Sequence, residues 1–244
     1  MKKQINLYTA LLATVIGFGG LSSHNTSVAE ENPWQGMYET VTTPQTPDDN
    51  TYVEVTEIFL YTCPHCYNFE KHSQTWLAQE KPDYVKYVRM PAVFNPRNIL
   101  LAKAYYTAES LGVLDTMHLA LFKAIHEQGK RLEKEEEIKA IFVQEAGVSE
   151  ADFDKAFASF SVDNKVRRAN SLTVAYGIMS VPSAVVAGKY RLAPDKTQGF
   201  DNKLKIINYL AAQEYAARSP AVETPANAEA APAEHTAKPV ETQQ

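Results

Sequence analysis

Cys63, Pro64, His65 and Cys66 are the residues of this chain whose types and spacing suit chemistry, and the two cysteines are the only ones in 244 residues. Two thiols three positions apart can close a disulfide with each other, or hand that disulfide to another protein. A loop this short removes little entropy from the unfolded chain, so the pair is a weak structural staple. Other uses of the pair fit less well. A zinc site needs further soft ligands, and only six scattered histidines accompany these thiols. Haem attachment needs histidine directly after the second cysteine, where Tyr67 stands. Redox exchange is the expectation.

If Cys63 begins a helix, the unpaired N–H groups and the helix dipole stabilise its thiolate. His65 then adds positive charge or a hydrogen-bond donor to the same sulfur. A stabilised thiolate leaves readily, which makes the disulfide form a strong oxidant. Cys63 is therefore the expected exposed, attacking sulfur, and Cys66, one turn inward, the resolving one. Pro64 sits early in the helix, where its missing N–H costs nothing. Val181-Pro182 stands at the entry to a later strand, either as an edge device or as a turn that leaves backbone groups free for an extended substrate. Glu57 lies in an apolar strand six residues before Cys63. It reads equally as a half-buried proton acceptor for Cys66 or as a charge on a sheet edge. Glu70 could approach Glu57 but reads first as a solvated charge on the helix.

The elements that must position these residues follow from pattern. Residues 38–42 and 53–61 read as strands, 64–80 as a helix and 84–90 as a further strand, the central ones rich in β-branched and aromatic residues. Strand, helix, strand in this order predicts a parallel unit. From 98 to 177 apolar residues recur at helical spacing: Leu101, Ala104 and Tyr105, then Leu119, Phe122 and Ile125, then Ile138, Ile141 and Phe142. Ser149 with Asp152 resembles a capping box. Residues 183–187 and 190–193 read as a hairpin turning at Gly188. A last amphipathic helix over 199–217 carries Leu204, Ile207 and Leu210 on one face.

The ends differ from the middle. Lys2 and Lys3, a short apolar stretch and Ser27-Val28-Ala29 read as a cleavable export signal over residues 1–29. Removing its two lysines leaves 22 basic and 29 acidic residues, net −7, against −5 for the whole chain. No long basic run is present, which argues against a nucleic-acid partner. Residues 219–244, rich in Ala, Pro, Glu and Thr, are expected to be a disordered tail. The expected organisation is a first sheet segment over 30–96, a helical insertion over 97–177 and a second sheet segment over 178–218. The mature chain is expected outside the cytoplasm, where disulfides persist.

These residues resemble the DsbA-type periplasmic thiol:disulfide oxidases. The match is carried by Glu57-Ile-Phe-Leu-Tyr-Thr-Cys63-Pro64-His65-Cys66-Tyr67-Asn-Phe69-Glu70 and by Val181-Pro182-Ser-Ala-Val-Val-Ala-Gly188-Lys189-Tyr190. It spans about residues 36–217. The resemblance implies an α/β thioredoxin fold with an inserted all-helical domain. It implies Cys63 as nucleophile, Cys66 as resolving thiol, His65 as tuner and Pro182 as a cis proline facing the sulfurs. Val181 and Pro182 would bind substrate. Glu57 and Glu70 match two acidic positions beneath the site, to which the family often adds a lysine. Here Lys86 and Arg89 bracket Tyr87 and Val88, and which of them supplies the third charge is left open. No cofactor beyond the Cys63–Cys66 disulfide is implied. The implied partners are unfolded exported proteins and a membrane quinone-linked reoxidising protein of the DsbB type, with the chain itself a monomer. The alternatives are an isomerase or reductase on the same fold, and a holdase-like binder of unfolded chains.

Overall fold

The computed structural model describes residues 32–47 and 49–218. The expected signal and the expected tail lie outside the described residues. Five strands form one sheet: β1 (Tyr38–Thr40), β2 (Val53–Phe59), β3 (Val85–Pro91), β4 (Ser183–Val186) and β5 (Tyr190–Leu192), in the spatial order β1-β5-β4-β2-β3. β2 runs parallel to β3 and antiparallel to β4, so it lies inside the sheet with a partner on each side. The first crossover is α1 (Pro64–Gln79). Between β3 and β4 come α2 (Pro96–Ser110), α3 (Leu114–His126), α4 (Glu135–Ala146), α5 (Glu150–Phe157) and α6 (Phe160–Ala175), and α7 (Phe200–Arg218) follows β5.

Period-two alternation assigns the faces of β2. Val53 and Val55 pack with Phe69 and Trp76 of α1 and with Leu204, Ile207 and Leu210 of α7. Ile58, on the opposite face, packs with Met90, Val185 and Ala169 of α6. A third cluster joins Phe59 and Tyr61 to Leu101, Leu121, Phe122, Ile138 and Phe142 of the helical segment. The end of β2, just before the cysteines, thus meets both the sheet core and the helices. In α3 the buried stripe is rotated from the expected one: Met117, His118, Leu121 and Phe122 are buried, while Leu119 and Ile125 are half-buried.

Ser149 accepts from Asp152 N–H as an N-cap, but its hydroxyl donates to the Asp152 carboxylate at 2.6 Å, in place of the expected reciprocal bond. The hairpin turns through two left-handed residues, Ala187 (φ 54°) as well as Gly188 (φ 65°), a pairing that matches the strand twist. Gly188 also carries the chain that crosses it: its carbonyl accepts from Gln45 N–H at 3.0 Å, and a Cβ there would stand 1.9 Å from the Gln45 carbonyl oxygen. Gly188→Ala is therefore expected to lower the unfolding free energy by more than about 1 kcal/mol, read as a fall in the urea midpoint. An unchanged midpoint would mean that the 41–47 segment is not held against the hairpin.

Candidate active site

Cys63 is the N-cap of α1 and Pro64 its first residue. No side chain caps this end, so the first-turn N–H groups are left to the Cys63 sulfur. Cys63 is half-buried, Pro64 and His65 are exposed, and Cys66 is fully buried. Both cysteines are free thiols in this structure. The Val181–Pro182 peptide is cis, and the Val181 carbonyl accepts from the Cys63 thiol at 3.6 Å, across a sequence separation of 118 residues. An open cleft of about 220 Å³ lies between the segment before this turn and the β1–β5 side of the sheet, lined by Met179, Ser180, Glu39, Arg191 and Lys196, and neither cysteine lines it.

The two sulfurs differ in proton affinity. A hydrogen bond from Cys66 draws the Cys63 thiol down to about 6, helped by the Cys66 and His65 N–H groups and by the His65 charge. Burial pushes the Cys66 thiol far up, and its hydrogen bond to Cys63 and the charges of Cys63 and Glu57 add to the rise.

Beneath the dithiol the structure brings together charges that the sequence left unplaced. Glu57 is 1% exposed in a central strand, so the sheet-edge reading is corrected. Strand parity settles the third charge. Arg89 is the register partner of Glu57 and shares its face, while Lys86 points the other way and is exposed. Arg89 Nε lies 3.4 Å from Glu57 Oε2, and its terminal nitrogen donates to Glu70 Oε2 at 3.1 Å. Glu70 is 2% exposed, not a solvated helix-face charge. Tyr87 donates to Glu57 Oε2 at 2.5 Å, whereas Glu57 Oε1 is buried without a hydrogen-bond partner.

His118 of α3 completes the network, with Nε2 3.0 Å from Glu70 Oε1 and Nδ1 3.0 Å from the Tyr61 hydroxyl. Burial holds this imidazole below its usual range. The neutral ring that donates from Nε2 and accepts at Nδ1 satisfies both contacts. A cleft of about 360 Å³ lined by Gln74, Leu77, Arg89 and His118 brings solvent to the outer side of the network.

Burial and the Glu70 charge raise the Glu57 carboxyl to about 7 against the opposing pull of Arg89. Glu70 is also raised by burial, but hydrogen bonds from His118 and Arg89 outweigh this and bring it below the usual value. Between the unfolded carboxyl value and about 7, folded Glu57 keeps a proton that the unfolded chain has released. Its contribution to stability therefore falls as pH rises through this window. In Glu57→Gln this slope is expected to vanish, so stability relative to the parent rises by up to about 3 kcal/mol from pH 4.5 to 8. Urea unfolding at several pH values checks it, and a constant offset would refute a raised Glu57.

Two further residues escaped the sequence reading. His118 lies on the helical stripe of Leu121 and Phe122, and Lys203 lies four and seven residues before Ile207 and Leu210 on the buried face of α7. A polar residue at a core position was the available signal for both.

Two thiols at a helix start, facing a cis-proline turn on a sheet with helices on both faces, define a thiol:disulfide oxidoreductase of the thioredoxin fold. A DSBA-like thioredoxin domain is matched over residues 87–205. The thiol:disulfide interchange protein DsbA of Azotobacter vinelandii is 39% identical over 166 residues, covering 68% of this chain and 77% of that one. The DsbA of Pseudomonas aeruginosa is 34% identical over 211 residues, covering 86% and 97%. The crystal structure of Pseudomonas aeruginosa DsbA superposes with a TM-score of 0.69 over 74% of this chain and 93% of that chain, at 34% identity. That of Xylella fastidiosa DsbA gives 0.68 over 73% and 95%, at 30% identity. Proteus mirabilis DsbA, 27% identical with a TM-score of 0.62 over 72% and 96%, has been solved with the non-covalently bound peptide PWATCDS. The chain belongs to the DsbA family of thiol:disulfide interchange proteins.

Proposed function

We propose that the chain donates its Cys63–Cys66 disulfide to unfolded exported proteins. The observation that carries this reading is the asymmetry of the pair: Cys63 meets solvent at the helix start beside the Val181 carbonyl, and Cys66 is sealed behind it. A substrate thiolate attacks Cys63 Sγ. The new substrate–Cys63 bond forms as the Cys63–Cys66 bond breaks, and its electron pair leaves on Cys66 Sγ, which takes up a proton. A second substrate thiolate attacks the substrate sulfur of the mixed disulfide. The substrate disulfide forms and Cys63 leaves as the thiolate it readily becomes. Two substrate thiols are oxidised and one protein disulfide is reduced.

His65 tunes the leaving thiolate, Pro64 sets the helix start, and Glu57 exchanges a proton with Cys66 through its unpartnered oxygen. The turn at Val181 and Pro182 binds the substrate backbone, a role supported by the Val181 carbonyl lying against the Cys63 thiol. No cofactor beyond the disulfide is required by this chemistry. Reoxidation falls to a membrane quinone-linked protein of the DsbB type. The site of action is the periplasm, reached by the signal at residues 1–29, and the working unit is a monomer. Among the described residues no helix is long and apolar enough to cross a membrane.

The test is the equilibrium of the purified protein with glutathione. An oxidase holds its disulfide at a potential well above the glutathione couple, with thiolate absorbance half-developed near pH 6. A potential near that of thioredoxin would make the chain a reductase.

A further inference from the structure

Lys203 is a buried cation that neither the fold nor the dithiol chemistry described so far accounts for. It lies on α7, 3% exposed, and its Nζ donates to the Pro182 carbonyl at 2.5 Å. The same nitrogen lies 5.2 Å from the centre of the Phe69 ring and 5.9 Å from that of Phe200. Phe69 stands three residues after Cys66, on the same face of α1. Lys203 therefore occupies the space between the substrate-facing turn, the last helix and the buried side of the cysteine pair.

We propose that Lys203 is a positioning residue of the disulfide exchange: it pins the Pro182 carbonyl and keeps a positive charge behind Cys66, where negative charge appears when that sulfur is expelled. The inference rests on the proposed disulfide chemistry of Cys63 and Cys66, in either redox direction. When an incoming thiolate bonds to Cys63 Sγ, the electron pair of the broken bond passes to Cys66 Sγ. Cys66 has no access to water and its own environment resists ionisation, so a nearby cation lowers the barrier to this step.

The groups facing Lys203 fit the assignment. Burial pulls the Lys203 ammonium down to about 8, against Glu57 of β2, Cys66 of α1 and Cys63 at its N-cap, which all favour the charged form. Arg89 and Glu70 act on Glu57 from the far side, and the exposed His72–Asp201 pair bridges α1 and α7 at the rim. The Lys203 charge is therefore retained at neutral pH and released in the alkaline range.

The test compares two expulsions with glutathione as the attacking thiol, followed by tryptophan fluorescence. Attack on the Cys63–Cys66 disulfide expels Cys66. Attack on the glutathione mixed disulfide of a Cys66→Ser variant expels Cys63. Lys203→Gln retains a donor for the Pro182 carbonyl without the charge, and it is expected to slow the first expulsion roughly tenfold and the second little. Lys203→Arg, which keeps a charge that does not titrate, is expected to recover the rate. It should also remove the alkaline decline seen in the parent once rates are corrected for glutathione thiolate. A Lys203→Gln rate equal to the parent, or an equal slowing of both expulsions, overturns the proposal. If Lys203→Gln does not fold, the alkaline profile of Lys203→Arg decides alone, and a decline that persists overturns it. The glutathione equilibrium reports separately on the direction of transfer, so a failure of the oxidase reading leaves these rates interpretable.

Discussion

Cys63→Ser is expected to lose disulfide transfer entirely, a fall of a thousandfold or more on the scale of nucleophile deletions. Cys66→Ser is expected to accumulate a substrate-linked species. The difference follows from the geometry. Cys63 is the sulfur that an incoming thiolate can reach, whereas Cys66 is sealed beneath it. A serine at 66 can still donate to the Cys63 sulfur, so the remaining thiolate keeps its low proton affinity but has no internal partner. Mass spectrometry of each variant incubated with a cysteine-containing peptide disulfide reads the outcome directly. A Cys63→Ser protein that traps substrate through Cys66 would invert the proposed roles. Binding of unfolded chains retained in a double Cys63→Ser, Cys66→Ser variant would support the holdase-like reading, and loss of transfer in that variant with binding intact would show that binding serves the exchange.

Arg89→Met is expected to produce the largest loss of stability of any single change in the site, about 3–5 kcal/mol, the scale for stranding buried charges. One guanidinium lies between two carboxylates that are 1% and 2% exposed. Without it, Glu57 and Glu70 repel each other in a medium that screens them poorly. The loss should be greater at pH 8 than at pH 5, because Glu57 holds its proton below about 7 and the repulsion then disappears. Adding Glu57→Gln to Arg89→Met should recover part of the stability at pH 8. Urea unfolding of the two variants at both pH values tests this, and a pH-independent loss would mean that the carboxylates do not share the guanidinium.

The elements were legible because their signals are local. The β-branched run of β2, the proline at the start of α1 and the glycine at the hairpin each declare themselves within a few residues. So did the dithiol, whose reactivity depends on four consecutive residues and a helix start. What sequence could not place was every partner that arrives across the fold. Lys86 and Arg89 were equivalent until the register with Glu57 fixed which one shared its face. Glu70 looked solvated because its helix carries polar residues on both sides, and only the arrival of Arg89 and His118 accounts for its burial. His118 and Lys203 interrupt apolar stripes, a signal that a stricter account of polar residues at core positions would have caught.

The separation of 118 residues between Cys63 and the carbonyl that receives its thiol divides the site into two heritable parts. On the proposed function, the Cys63–Cys66 tetrapeptide and its helix start would set the strength of the oxidant, while the Val181–Pro182 turn, which accepts a hydrogen bond from Lys203, would set what it grips. Substitutions at His65 would then adjust one property without disturbing the other, in natural divergence or in design. A graft of the four residues onto another strand–helix junction would carry the reactive sulfur but leave behind its choice of clients.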